Sequence, residues 1–153
     1  MFRTVILFSL LSFSAGAEFI PDNANKYKRT LIRYAQHYYG IHAPIPVFAA
    51  QIHKESTWNP KAKSPYAEGL SQFTPDTAKD VSKKYPELVA NEPLDPTWSI
   101  RAMLLNDLDL QTRVDAINEC NDWAFTFAMY NGGPGWIWRE KNLAEKAGVD
   151  RNT

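Results

Sequence analysis

Proline and glycine cut this chain into short runs, and almost every run they leave carries the spacing of a helix. Tyr27, Leu31, Tyr34, Ala35 and Tyr38 recur at helical intervals until Gly40 stops them. Pro46 opens a second run, in which Val47, Phe48, Ala49, Ala50 and Ile52 are largely apolar up to Glu55. The stretch from Ser56 to Thr74 is rich in Pro, Ser, Asn and Gly and reads as a shaped loop. Pro75 starts a short polar helix that Pro86 ends. Asp95-Pro96 supplies an N-cap and first-turn pair for a helix expected to carry Trp98, Ala102, Leu105 and Leu108 on one face. Asp122 is expected to cap a further segment, Trp123 to Tyr130, which is apolar nearly all round and so expected to be buried. The run Asn131-Gly132-Gly133-Pro134-Gly135 breaks it, and a last helix is expected from about Trp136 to Gly148. With no strand pattern, repeat or linker, the reading is one mainly α domain.

Composition narrows the function. The 17 Lys+Arg balance the 17 Asp+Glu, which argues against a partner held by phosphate neutralisation, so no nucleic-acid partner is expected. One Cys excludes a disulfide framework and a multi-thiolate zinc site, and Cys120 is expected to be buried and inert. The histidines His37, His42 and His53 follow no metal-ligand spacing, so no metal is expected. Arg3, the apolar stretch Val5 to Phe13 and the small residues Ala15-Gly16-Ala17 have the order of a cleaved export signal. That stretch is well short of the ~20 residues a membrane span needs, so no stable membrane anchor is expected. Residues 1–17 are therefore read as a signal peptide and 18–153 as the domain, exported to a periplasmic or extracellular site.

Glu55 is the first candidate for chemistry. It falls in the last turn of an apolar helix, at the negative end of the helix dipole, where an ionised carboxylate is repelled. Partial burial penalises the charge further. Both effects raise its proton affinity, which suits a general acid near neutral pH. Taken alone, the same position also suits a surface glutamate.

The surrounding motifs resemble those of the soluble lytic transglycosylase (SLT) domain family. Glu55-Ser56, then Asn59-Pro60, Ala62 and Ser64, then Gly69-Leu70-Ser71-Gln72 with Pro75, Thr77 and Ala78 follow its ES, NP, GLMQ-like and P-x-T-A segments in order. Ala128, Tyr130, Asn131, Gly132 and Pro134-Gly135 resemble its A-Y-N-x-G-P-G segment, and Asp95-Pro96 with Ser99-Ile100 resembles the stretch between. The likeness spans roughly Pro44 to Trp138. Three departures flank the expected cleft. Ser71 stands where the family has Met; the segment between Ser64 and Gly69 is one residue short and lacks its first Gly; and Met129 separates Ala128 from Tyr130.

The resemblance implies a goose-type, lysozyme-like helical fold and cleavage of the β-1,4 bond between N-acetylmuramic acid and N-acetylglucosamine in peptidoglycan glycan strands. By analogy Glu55 protonates the glycosidic oxygen, then takes the proton of the muramoyl C6 hydroxyl as it closes on C1. Tyr130 would hydrogen-bond and position Glu55, or else be a core residue at a helix end. Gln72 and Asn131 would hold the glycan, or brace loops. Ser56 and Ser64 would contact the site or cap local turns. Gly69, Leu70 and Ser71 complete the expected substrate-binding segment. Trp58, Trp136 and Trp138 suit sugar stacking or a core or rim place equally. No cofactor is implied, and a monomer is expected. The process served, whether housekeeping, conjugation, secretion or phage lysis, is open.

Counting carboxylates bears on the product. A retaining hydrolase of the usual kind needs a second carboxylate ~5 Å from the acid, and an inverting one ~6.5–9.5 Å away. Glu68 is the only other acid inside the Ser56 to Thr74 loop, and the remaining acids read as caps or polar helix faces. A tethered C6 hydroxyl removes the need for a second carboxylate, since intramolecular attack has a large effective molarity. The expected product therefore ends in 1,6-anhydro-N-acetylmuramic acid. The rivals are a hydrolytic muramidase on the same fold and a catalytically silent glycan-binding part of a secretion or phage apparatus.

Overall fold

A computed structural model describes residues 21–152, and the expected signal peptide lies outside them. The described residues form six helices: α1 (Asp22–Tyr39), α2 (Ile45–Ser56), α3 (Pro75–Lys84), α4 (Pro96–Gln111), α5 (Glu119–Gly132) and α6 (Pro134–Lys146), with a 3-10 turn at Pro86–Leu88. Among the described residues there is no strand, only isolated antiparallel bridges pairing Lys63 with Glu68 and Glu68 with Phe73. No described helix is long and apolar enough to cross a membrane.

The helix ends lie where local chemistry puts them. Gly40, at φ 80°, ends α1 and returns its N–H to the Gln36 carbonyl. Thr74 caps α3 by accepting from the Thr77 N–H at 3.1 Å, and Asp95 caps α4 by accepting from Trp98 N–H at 2.7 Å. Pro46, Pro75 and Pro96 all fall in first turns, where a missing N–H costs nothing.

Helix α4 is the axis of the fold, packed by α1, α3 and α5. The one-sided face read from the sequence is corrected here. Trp98, Ile100, Ala102, Met103, Leu104, Leu105 and Leu110 are all buried, with Ser99 and Asp107 among them, whereas Leu108 is only half-buried. A helix with neighbours on three sides loses its solvent face, and each large apolar side chain so buried contributes about 1.5–3 kcal/mol. The contacts are specific as well as apolar. Tyr39 donates to the Leu104 carbonyl at 3.0 Å, Trp98 Nε1 to Leu88 O at 3.0 Å, and Arg101 Nε to the Tyr38 hydroxyl at 3.2 Å.

The C-terminal helices depart further from expectation. Asn118, not Asp122, caps α5, its Oδ1 accepting from Asn121 N–H at 3.0 Å. The helix is not buried all round: Trp123, Thr126 and Met129 form the inward stripe, Ala124 is exposed, and Phe125 and Phe127 are half-buried. It runs through Asn131 and Gly132 before Gly133 breaks it, and α6 begins at once at Pro134. Cys120 is exposed rather than buried, because Ile117 to Cys120 all face solvent where α5 starts. Leu110, Met129 and Ile137 form a second small core beneath α6.

Candidate active site

Glu55 stands in the last turn of α2, half-buried. The helix stops because Thr57 turns left-handed at φ 50°, with its N–H on the His53 carbonyl, and Trp58 follows at φ 62°. Two successive non-glycine residues in that region are strained, a β-branched one especially, and such strain persists only where the surroundings impose it. Burial of the Trp58 indole in the main core supplies that constraint. Trp58 is thus a core anchor and not a sugar-stacking ring. Burial pushes the Glu55 carboxyl above its ordinary range, partly opposed by the neighbouring Lys54 ammonium. Ser56 turns its hydroxyl back onto the Ile52 carbonyl at 3.2 Å, within the helix.

The loop between α2 and α3 is folded around Gly69. Its φ is 83°, and a Cβ there would lie 1.9 Å from the Pro93 carbonyl oxygen, so only glycine fits. Glu68 and Phe73 exchange backbone hydrogen bonds at 3.0 and 3.1 Å, closing a tight turn over Gly69 to Gln72. Leu70 is fully buried in the main core, so it supports the loop from beneath and presents no surface of its own. Gln72, at φ 46°, donates its amide to the carbonyls of Ala62 and Gly69, bracing the loop.

Ser71 explains one departure from the family pattern. Its side chain is fully buried and interlocks with Ser99 of α4: Ser71 N–H donates to Ser99 Oγ at 3.1 Å, Ser71 Oγ to Ser99 O at 3.0 Å, and Ser99 Oγ to Ser71 Oγ at 3.1 Å. The Ser71 carbonyl in turn accepts the Tyr130 hydroxyl at 2.6 Å. The expected Tyr130–Glu55 hydrogen bond is therefore replaced by one to the loop backbone. The phenol still lies close enough to feel Glu55. Burial above all, with the Glu55 charge adding to it, holds its pKa well above the ordinary range, so it remains a proton donor. Its ring rests 5.8 Å from Phe73, which packs edge-on to Trp98.

The remaining expected residues lie at the margin. Ser64 is exposed and caps a turn, accepting from Ala67 N–H at 2.9 Å, and it lines an open depression of about 580 Å³ with Tyr66, Glu68 and Asp76. Glu68 pairs with Lys63 at 3.1 Å. Asn131 is exposed, its amide donated to the Phe127 carbonyl at 2.9 Å. Trp136 and Trp138 are partly exposed on α6. Among the described residues no three His, Cys, Asp or Glu side chains gather as a metal ion would need.

Sequence reasoning missed one pair. Asp107, fully buried on α4, accepts from Gln51 Nε2 of α2 at 3.2 Å, and Gln51 sits one helical turn before Glu55. The available signal was Asp107, set between Leu105 and Leu108, but with Asn106 and Asp109 beside it the acid reads instead as a polar-face residue.

The chain is 34% identical over 152 residues to a protein of Shewanella pealeana named membrane-bound lytic murein transglycosylase F, covering 97% of this chain and 29% of that protein. It is 35% identical over 108 residues to the protein of that name from Vibrio campbellii, and 36% over 104 residues to one from Vibrio cholerae. Those alignments cover 69% and 67% of this chain, and 19% and 18% of the relatives. The chain thus spans less than a third of the length of these relatives. The family described as the transglycosylase SLT domain matches residues 30–152, so the chain belongs to the transglycosylase SLT domain family.

Proposed function

We propose that this domain is a peptidoglycan lytic transglycosylase that cleaves the N-acetylmuramic acid–β-1,4–N-acetylglucosamine bond without water, Glu55 serving as general acid and then general base. The observation that carries the reading is the half-buried Glu55 carboxyl, raised in proton affinity by burial and set at a helix end beside residues of strained backbone. A protonated Glu55 gives its proton to the glycosidic oxygen as the bond to C1 breaks. The resulting carboxylate takes the proton of the muramoyl C6 hydroxyl while that oxygen bonds to C1, and Glu55 returns to its starting state. The relatives' shared name, lytic murein transglycosylase, supports the same chemistry.

A hydrolytic muramidase needs a second carboxylate free to activate water. Glu68 is paired at the surface with Lys63, and Asp107 is sealed from solvent, which supports the one-carboxylate reading and leaves Glu68 as the candidate base of the hydrolytic rival. In this reading Tyr130 is a positioning residue that fixes the Ser71 backbone. Gly69, Leu70, Ser71 and Gln72 shape one wall of the glycan cleft, and Ser56, Ser64 and Asn131 border it. Activity on peptidoglycan requires a location outside the cytoplasm, in keeping with an export signal at residues 1–17, and a monomer suffices for the chemistry. Digestion of purified peptidoglycan in isotopically heavy water tests the reading. Unlabelled 1,6-anhydro ends are expected from the wild type and none from Glu55→Gln, whereas labelled reducing ends as the main initial product overturn it.

A further inference from the structure

Asp107 is a carboxyl group that the reaction assigned to Glu55 does not use. It lies in the middle of α4 with no exposed surface, and it accepts from the Gln51 amide, Nε2 to Oδ1 at 3.2 Å. The other oxygen of each residue, Asp107 Oδ2 and Gln51 Oε1, is buried and has no hydrogen-bond partner. Two orphaned acceptors in one contact are expensive, since each leaves a desolvated polar atom uncompensated. A carboxylate has no proton to offer, and an amide oxygen can only accept. One proton resolves both deficits. Placed on Oδ2, it can be donated to Gln51 Oε1 while Gln51 Nε2 continues to donate to Oδ1, closing a reciprocal acid–amide ring.

The surroundings agree. The titratable groups around Asp107 are Glu55 of α2, Tyr39 of α1 and Tyr130 of α5, with Tyr85 at the end of α3 bonded to the adjacent Leu105 carbonyl. All are acids. The nearby cations Lys84 and Arg113 are committed to Asp109. Desolvation and the Glu55 charge both oppose ionisation of Asp107, and the Gln51 hydrogen bond only partly offsets them.

We propose that Asp107 is a positioning residue for Glu55, held as the neutral acid in a reciprocal pair with Gln51. The proposal rests on the reading of Glu55 as the acid and base. Gln51 and Glu55 are four residues apart and share one side of α2, so the pair clamps to α4 the turn that carries Glu55. A neutral Asp107 also leaves Glu55 as the one carboxyl of the two that changes charge during turnover. An ionised Asp107 would repel the Glu55 carboxylate formed midway through the reaction and distort its return step.

The test has two independent readouts. In protein labelled with 13C at aspartate carboxyls, the Asp107 signal, assigned by its loss in Asp107→Asn, is expected at the protonated position and unmoved between pH 5 and pH 8. A signal at the carboxylate position, or one that titrates through the ordinary range of an aspartate, overturns the proposal. In kinetics, Asp107→Leu leaves the Gln51 amide unpaired. It is expected to lower kcat on the order of tenfold with little change in KM, as small displacements of a catalytic group do. Asp107→Asn restores a donor and an acceptor and is expected to rescue kcat with the wild-type alkaline limb of the pH profile. Failure of that rescue, or an alkaline limb displaced by about one pH unit, means that the charge of Asp107 acts on Glu55 and overturns the neutral pair. If Glu55→Gln keeps full activity, the catalytic reading fails on its own, while the carboxyl signal of Asp107 still reports its protonation.

Discussion

Two glycine turns border the site, and they obey different constraints. Gly69 and Gly133 have nearly the same φ, 83° and 78°. Around Gly69 the chain is locked: a Cβ would strike the Pro93 carbonyl, and the next residues are held to α4 and α5 through Ser71, Ser99 and Tyr130. Around Gly133 there is open space, and a Cβ added there would meet nothing within 4 Å. The first turn belongs to the main core, whereas the second joins α5 to α6 over a core of only Leu110, Met129 and Ile137, with Trp136, Trp138 and Leu143 left exposed. The backbone torsion is shared, but only at Gly69 does packing demand it. The Gly69 turn is thus the rigid side of the molecule, and the α5–α6 corner the tolerant one.

The sharpest separation of chemistry from scaffold is Glu55→Gln. Gln keeps the size but not the acidity, so cell-wall turnover in a zymogram and in solution is expected to fall at least ~10²-fold, with circular dichroism unchanged. Full activity in this variant removes Glu55 from the mechanism.

The two glycines test the comparison directly. Gly133→Ala meets only the torsional penalty, about 1–3 kcal/mol. Gly69→Ala adds overpacking against backbone, a further ~1–3 kcal/mol or more, and is expected to be the less stable of the two in urea unfolding. Equal losses would mean that the Gly69 turn can shift and is not rigid.

Tyr130→Phe probes the link between the two regions. The ring stays, the hydrogen bond to the Ser71 carbonyl goes, and stability is expected to fall by about 1 kcal/mol. Turnover is expected to slow more than glycan binding weakens, because the change acts through the Ser71 backbone that Tyr130 holds. An unaltered rate would reduce Tyr130 to a packing residue.

The smallest effect is a pH dependence of stability. The pKa of Glu55 is raised in the folded state, so its neutral form is favoured there. That contribution is fully present below the unfolded pKa and is lost as pH rises through the raised folded value. Wild type and Glu55→Gln are therefore expected to melt alike at low pH, with the variant becoming the more stable one at alkaline pH. Wild-type activity should fall over the same rise, as the proton donor is lost. Melting curves that stay parallel across pH would show that Glu55 is not perturbed.

Helix number, the capping by Asp95, the stop at Gly40 and the placement of Glu55 in a last turn are all legible in the sequence, because each depends on residues within four positions of one another. The loop motif around Gly69 is legible too, though as a pattern and not as a shape. What the sequence misjudges depends on distant partners. The one local exception is Asp122, which looks like a cap because it precedes an apolar run, whereas Asn118 begins the helix four residues earlier. Helix α4 looks one-sided because Ser99 and Asp107 are polar, yet both are buried against residues 28 and 56 positions away. Tyr130 reads as a partner of Glu55, but its hydroxyl goes to a carbonyl 59 residues away. Local torsion and capping energies act along the chain and can be read from it. Whether a polar group is buried, and which partner satisfies it, is decided only when α2, α4, α5 and the Gly69 turn close on one another and water is excluded between them.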